Sequence, residues 1–174
     1  MIRKICAFLL VVLCGASYDS SKQYVIPCAK ASWMGAVEYC TRNNMRLAVI
    51  TNSAENHLVL DEIHAARANG MKTLRNVWIG ASDNLQEGSF IWHETGEPVQ
   101  FTDWAWRQPD NYARNEDCVE IANRGYTRWT WAWNDYRCTI EQNFVCENYS
   151  VPIDIRKPQE QQRQNSLELY PGKI

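Results

Sequence analysis

The sequence predicts an α+β domain in which two helices come first and short strands follow, with a long Trp-, Pro-, Asp- and Asn-rich loop set among the strands. A third observation is the cysteine set. Five cysteines lie downstream of an apolar leader, which in an oxidising compartment means two disulfides and one cysteine left over.

The leader comes first in the chain. Arg3 and Lys4 give it a positive start, Ala7 to Leu13 is an apolar run too short to span a membrane, and Cys14-Gly15-Ala16 supplies small residues for cleavage after Ala16. A bacterial lipoprotein anchor at Cys14 is the competing reading, and the bulky Leu13 before that cysteine fits it poorly. Residues 1–16 are therefore expected to be a signal peptide and the protein to be secreted. No later stretch is apolar enough to cross a bilayer. Removal of the leader leaves 16 basic against 20 acidic residues, a net charge of −4. No basic stripe is visible, so nucleic-acid binding is excluded on charge. Eight Trp in so short a chain suggest a rigid aromatic core or rings that stack on the flat apolar faces of sugars.

The mature domain is expected over residues 22–148. A short strand runs through Tyr24-Val25-Ile26. Ser32 reads as the N-cap of a helix through Tyr39. A second helix starts near Asn52, with Glu55 placed as a capping-box partner. Val59, Ile63 and Ala66 give it one apolar stripe, and Asn69-Gly70 should end it with Gly in the left-handed cap. Val77-Trp78-Ile79-Gly80, Phe90-Ile91-Trp92, Cys118-Val119-Glu120-Ile121 and Asn143-Phe144-Val145-Cys146 read as strands. The stretch from Phe101 to Asn115 lacks periodicity and is a loop of the length that is usually functional. Residues 149–174, with Gln159, Gln161, Gln162 and Gln164 among charges and prolines, are expected to be a polar, disordered tail.

Two clusters carry chemistry. Gln108-Pro109-Asp110 is followed by Glu116, and Trp133-Asn134-Asp135 lies further on. Together they offer the oxygens of Gln108, Asp110, Glu116, Asn134 and Asp135. Calcium takes about 6–8 such ligands, mixing carboxylates with amide and backbone carbonyls. The lack of nearby His or thiolate argues against zinc. A cis peptide bond at Pro109 would aim the flanking carbonyls at one point.

In order along the chain, Trp33, Cys40, Trp78-Ile79-Gly80, Phe90-Ile91-Trp92, Gln108-Pro109-Asp110, Glu116-Asp117-Cys118, Trp133-Asn134-Asp135, Cys138 and Phe144-Val145-Cys146-Glu147 resemble a C-type lectin domain over about residues 22–148. The resemblance implies disulfides Cys40–Cys146 and Cys118–Cys138. It also implies that Gln108, Asp110, Glu116, Asn134 and Asp135 hold a Ca2+ ion whose shell two vicinal sugar hydroxyls complete. Relatives with Gln-Pro-Asp favour galactose, whereas those with Glu-Pro-Asn favour mannose. Tyr112 lies where galactose-binding relatives stack an aromatic ring on the sugar. Asp83 and Glu87, with Asp117 nearby, resemble an auxiliary calcium site, although position 111 is Asn where well-formed auxiliary sites often have Asp.

The function so implied is a secreted, calcium-dependent lectin with galactose-type preference. It would recognise glycans on microbial or cell surfaces, as small single-domain arthropod lectins do in innate immunity. The alternative is a protein-interaction module on the same fold, with little sugar binding. Cys28 bears on that choice, being either a buried free thiol or the link of a disulfide-bonded dimer. Of Trp104 and Trp106, at least one is read as core. Asn148-Tyr149-Ser150 is a glycosylation sequon. His57, His64 and His93 have no partnered nucleophile or metal spacing, so no enzyme is expected.

Overall fold

The computed structural model describes residues 22–123 and 130–148; the expected leader over 1–16 and tail over 149–174 lie outside them. The elements run β1 (Gln23–Val25), α1 (Trp33–Arg42), β2 (Arg46–Leu47), α2 (Ser53–Ala68), β3 (Asn76–Ser82), β4 (Ile91–Trp92), β5 (Cys118–Ala122), β6 (Ala132–Tyr136), β7 (Asn143–Phe144) and β8 (Cys146–Asn148).

The helix caps follow the sequence. The Ser32 hydroxyl accepts the Gly35 N–H at 3.2 Å, and α1 buries Trp33, Ala36, Val37 and Cys40 on one stripe. The helix continues past Tyr39 to Arg42, where an exposed Glu38–Arg42 pair spans one turn. Asn52 Oδ1 accepts the Glu55 N–H at 3.0 Å. The Glu55 carboxylate reaches back to the Thr51 N–H at 2.6 Å, one residue before the cap. At the far end Asn69 is the C-cap, and Gly70 turns the chain away at φ 119°.

The strands form two sheets. β1, β8 and β2 pair antiparallel with β8 in the centre. The larger sheet has the order β4-β3-β5-β6, all antiparallel, and β7 joins β3 in parallel. The run expected as one strand from Asn143 to Cys146 is thus two, divided at Val145 and shared between the sheets. Gly80 is needed where the chain after β2 crosses β3. Its N–H donates to Ala48 O at 2.8 Å, and a Cβ there would lie 2.9 Å from Leu47 O.

Disulfides join Cys40 to Cys146 and Cys118 to Cys138. The first ties α1 to β8, and the second ties β5 to the segment after β6. Trp133 sits at the centre of the main core, fully buried, with Trp92, Phe101 and Trp104 edge-on at 5.8–6.0 Å. Its indole N–H donates to Asn56 Oδ1 at 3.0 Å, so α2 is anchored to β6. Among the described residues, no helix is long and apolar enough to cross a membrane.

Candidate functional site

The two motifs meet because the start of the long loop is bonded to β6. The Trp133 N–H donates to Asp103 O at 2.7 Å, and the Ala105 N–H donates to Trp133 O at 2.8 Å. This short parallel contact brings Gln108 and Asp110 beside Asn134 and Asp135. The Gln108–Pro109 peptide bond is cis.

Further bonds shape the loop around the Asp135 carboxylate. Its Oδ1 accepts the Asp110 N–H at 3.1 Å, and its Oδ2 accepts the Asn111 N–H at 2.7 Å. Asn111 is left-handed at φ 41°, and Ala113 and Arg114 follow at φ 59° and 56°, so the chain turns sharply over Tyr112–Arg114 without forming a regular helix. Glu116 Oε2 accepts the Tyr112 N–H at 3.1 Å, and the Glu116 N–H returns to Asn111 Oδ1 at 3.2 Å.

A cavity of about 290 Å3 opens over this arrangement, lined by Gln108, Asp110, Tyr112, Glu116, Asn134, Tyr136 and Arg137. One carboxylate oxygen each from Asp110, Glu116 and Asp135 lies within 4.8 Å of the others. Glu116 and Asp135 are buried, and Asp110 is exposed. Burial pushes the Asp135 carboxyl above its ordinary value. The N–H groups of Asn111 and Asp110 pull it down, and the Asp110 charge pushes it up. Gln108 Oε1 is buried with no hydrogen-bond partner. An orphaned carbonyl oxygen beside three converging carboxylates is a hard, all-oxygen donor set, and it fits calcium.

Asn134 owes its setting to a residue the sequence reading passed over. Its Nδ2 donates to Glu120 Oε1 at 3.0 Å, and Asn76 Nδ2 donates to Glu120 Oε2 at 2.8 Å. Glu120 is fully buried on β5, opposite Asn134 in register. The carboxylate therefore fixes the amide with its NH2 turned away from the cavity. The available signal was one charged residue inside an otherwise apolar strand. Arg137, on the cavity wall, was also missed.

Tyr112 is 70% exposed and lines the same cavity. Trp104 packs on Phe90 and Trp133, while Trp106 is 68% exposed with the Arg107 guanidinium 4.0 Å from its ring centre. Asp83, Glu87 and Asp117 do not converge as the first three carboxylates do. Asp83 is buried, with Oδ2 accepting the Gly88 N–H at 2.8 Å and Oδ1 without a partner. Burial holds its carboxyl above the ordinary value against the Gly88 N–H, and Glu87 and Asp117 push the same way as burial. Glu87 accepts the Asn111 side-chain amide.

Cys28 is an exposed free thiol, which removes the buried alternative. Asn148 ends β8, with its amide paired to the Gln23 backbone and side chain at 3.0 Å each; the other two sequon residues lie outside the described ones. His57 sits against Ser53 in the first turn of α2, His64 packs on Trp131, and His93 packs on Trp33.

Residues 29–148 match the Lectin C-type domain family. Salivary C-type lectin 2 of Aedes albopictus is 36% identical over 145 residues, 81% of this chain and 93% of that protein. The alpha-N-acetylgalactosamine-specific lectin of Patiria pectinifera is 41% identical over 103 residues, covering 58% of this chain and 56% of that protein. Among solved structures, the mouse scavenger receptor C-type lectin carbohydrate-recognition domain superposes with a TM-score of 0.59 at 28% identity, covering 75% of this chain and 92% of that one.

Proposed function

The chain belongs to the C-type lectin family, and on that premise we propose that it is a secreted, calcium-dependent lectin with galactose-type preference that recognises glycans on microbial or cell surfaces. The observation that carries the reading is the buried, unpartnered Gln108 Oε1 beside the converging carboxylates of Asp110, Glu116 and Asp135. Those four residues, with Asn134, would hold the ion. Calcium, when bound, supplies coordination positions for two vicinal sugar hydroxyls. The carboxylates accept hydrogen bonds from those hydroxyls, and the Gln108 amide serves as a donor, while Asn134, its NH2 held by Glu120, offers its carbonyl oxygen to the ion. Tyr112 offers its exposed ring to the apolar face of the sugar. An auxiliary calcium at Asp83, Glu87 and Asp117 is a second part of the reading; it rests on the unpartnered Asp83 Oδ1 and requires the three carboxylates to close around the ion. The site binds and does not transform its ligand, and glycosylation at Asn148 fits secretion. A relative named for specificity towards alpha-N-acetylgalactosamine supports a galactose-type ligand, and relatives named as salivary lectins support secretion. A glycan array read with calcium and with EDTA tests the reading.

Sugar choice rests on which side of the site carries the acid. Gln108→Glu combined with Asp110→Asn exchanges acceptor and donor, so each hydroxyl meets the wrong partner. Leaving one buried polar group unpaired costs about 1–3 kcal/mol. The galactose-to-mannose affinity ratio is therefore expected to fall by roughly tenfold or more and to reverse. A wild-type preference for mannose on the same array would rule the polarity argument out. Tyr112→Ala is expected to weaken galactose while leaving calcium affinity close to wild type.

The exposed Cys28 favours a second reading, in which the domain works as one half of a disulfide-linked dimer. Non-reducing electrophoresis of the secreted protein should then show a dimer band that Cys28→Ser abolishes. Two sites per particle raise avidity for multivalent glycans by about 10²–10³ where geometry permits. A lone monomer band in the wild type removes this reading.

A further inference from the structure

Arg137 stands one residue beyond β6, on the wall of the cavity that Gln108, Asp110, Glu116 and Asn134 line. It is exposed, and no described carboxylate pairs with it. The loop that supplies the other wall carries two more arginines that form no ion pair among the described residues. The Arg107 guanidinium carbon lies 4.0 Å from the centre of the Trp106 ring, and Arg114 ends the turn that begins at Tyr112.

Asp110, Glu116 and Asp135 bring three negative charges, and a bound divalent ion cancels two of them. One net negative charge is left, held among the ligands themselves. The Arg137 guanidinium is then an uncommitted cation facing the space in which a sugar would sit. A neutral hexose leaves it solvated. An oxyanion on the sugar would accept two of its five N–H donors side by side, in the planar fork that suits sulfate and carboxylate.

We propose that the site selects galactose-type sugars bearing an acidic oxo group, a sulfate ester or a carboxylate, and that Arg137 is the residue that reads it. The proposal rests on the calcium-dependent galactose reading above. It adds a charged substituent to the ligand and assigns that substituent to a residue outside the ion's shell. Because Arg137 is exposed, its contribution is screened by salt.

The test uses the full mature chain in millimolar calcium. Competition titrations compare N-acetyllactosamine, its 3-, 4- and 6-O-sulfated forms on galactose, and a glycan ending in galacturonic acid. The readout is the ratio of acidic to neutral affinity. In the wild type at least one acidic form is expected to bind about tenfold tighter than the neutral glycan, with the ratio shrinking as salt rises. Arg137→Gln should bring the ratio close to one, and Arg137→Lys should keep part of it, since a lysine supplies the charge without the fork. Comparing the sulfate and galacturonate arms tells which oxo group is read. A wild-type ratio near one overturns the proposal while leaving neutral galactose binding intact. A wild-type preference that survives Arg137→Gln also overturns it. Absence of calcium-dependent binding to every galactose-terminated glycan overturns the parent reading together with this one.

Discussion

Chelation of calcium, or the single change Asp135→Ala, is expected to erase glycan binding, and added calcium is expected to raise the melting temperature of the wild type. Asp135 is 1% exposed and holds the loop from both carboxylate oxygens, through the N–H groups of Asp110 and Asn111. With Asp110 and Glu116 it forms the converging acidic group, so its loss removes a charged ligand and a loop anchor together. Removing one charge-assisted contact costs on the order of 2–3 kcal/mol, a factor of about a hundred in affinity before the loop is counted. Calcium binds the folded form only, so it stabilises by linkage. Dissociation constants of extracellular calcium modules are on the order of 10⁻⁴–10⁻³ M, so several millimolar ion adds about 1–2 kcal/mol. For a domain of this size that is a rise of several degrees. The Asp135→Ala protein should show neither the thermal shift nor the array signal. A wild type with no thermal shift in several millimolar calcium would count heavily against the site.

The second large effect is on stability. Cys40 and Cys146 are both fully buried, and their disulfide closes a loop of 106 residues. Constraining the unfolded chain over that length is worth about 4–5 kcal/mol on the entropic argument. That is a large part of the total stability of an ordinary domain. The double replacement Cys40→Ala/Cys146→Ala is therefore expected to shift the folding equilibrium by about a thousandfold towards the unfolded state. It should also separate α1 from β8, whose strand sits in the middle of the small sheet. The Cys118–Cys138 bridge closes only 20 residues, so its removal should cost about 3 kcal/mol. Its effect should be felt most at Glu116, just before β5, and at Asp135 on β6, three residues before Cys138. Urea unfolding under non-reducing conditions measures both, and equal losses from the two bridges would contradict the loop-length argument.

What was legible in the sequence was what is decided locally. Ser32 and Asn52 cap their helices because a short polar side chain reaches an N–H three residues on. The apolar stripe of α2 follows from helical periodicity, and Gly70 ends that helix because it tolerates a positive φ. Gln108-Pro109-Asp110 and Trp133-Asn134-Asp135 announced an oxygen-rich site through residue type alone. The fold and the disulfide pairs came from the order of motifs, which periodicity could not supply.

The rest depended on partners far away in the chain. β6 has no alternation that marks it as a strand, because Trp133, Asn134 and Asp135 are all buried. Pairing with β5 makes it one. The run from Asn143 to Cys146 reads as a single strand, yet it divides because β3 and β1 claim its two halves for different sheets. Cys28 gave no sign of exposure, and nothing told Trp104 in the core from Trp106 on the surface. Glu120 is one charge within an apolar strand, and only the fold brings Asn76 and Asn134 to its two oxygens. Backbone propensity and capping act within one or two turns of chain and are written in the sequence. Burial and hydrogen-bond partnership arise from groups dozens of residues apart, so only the folded arrangement decides them.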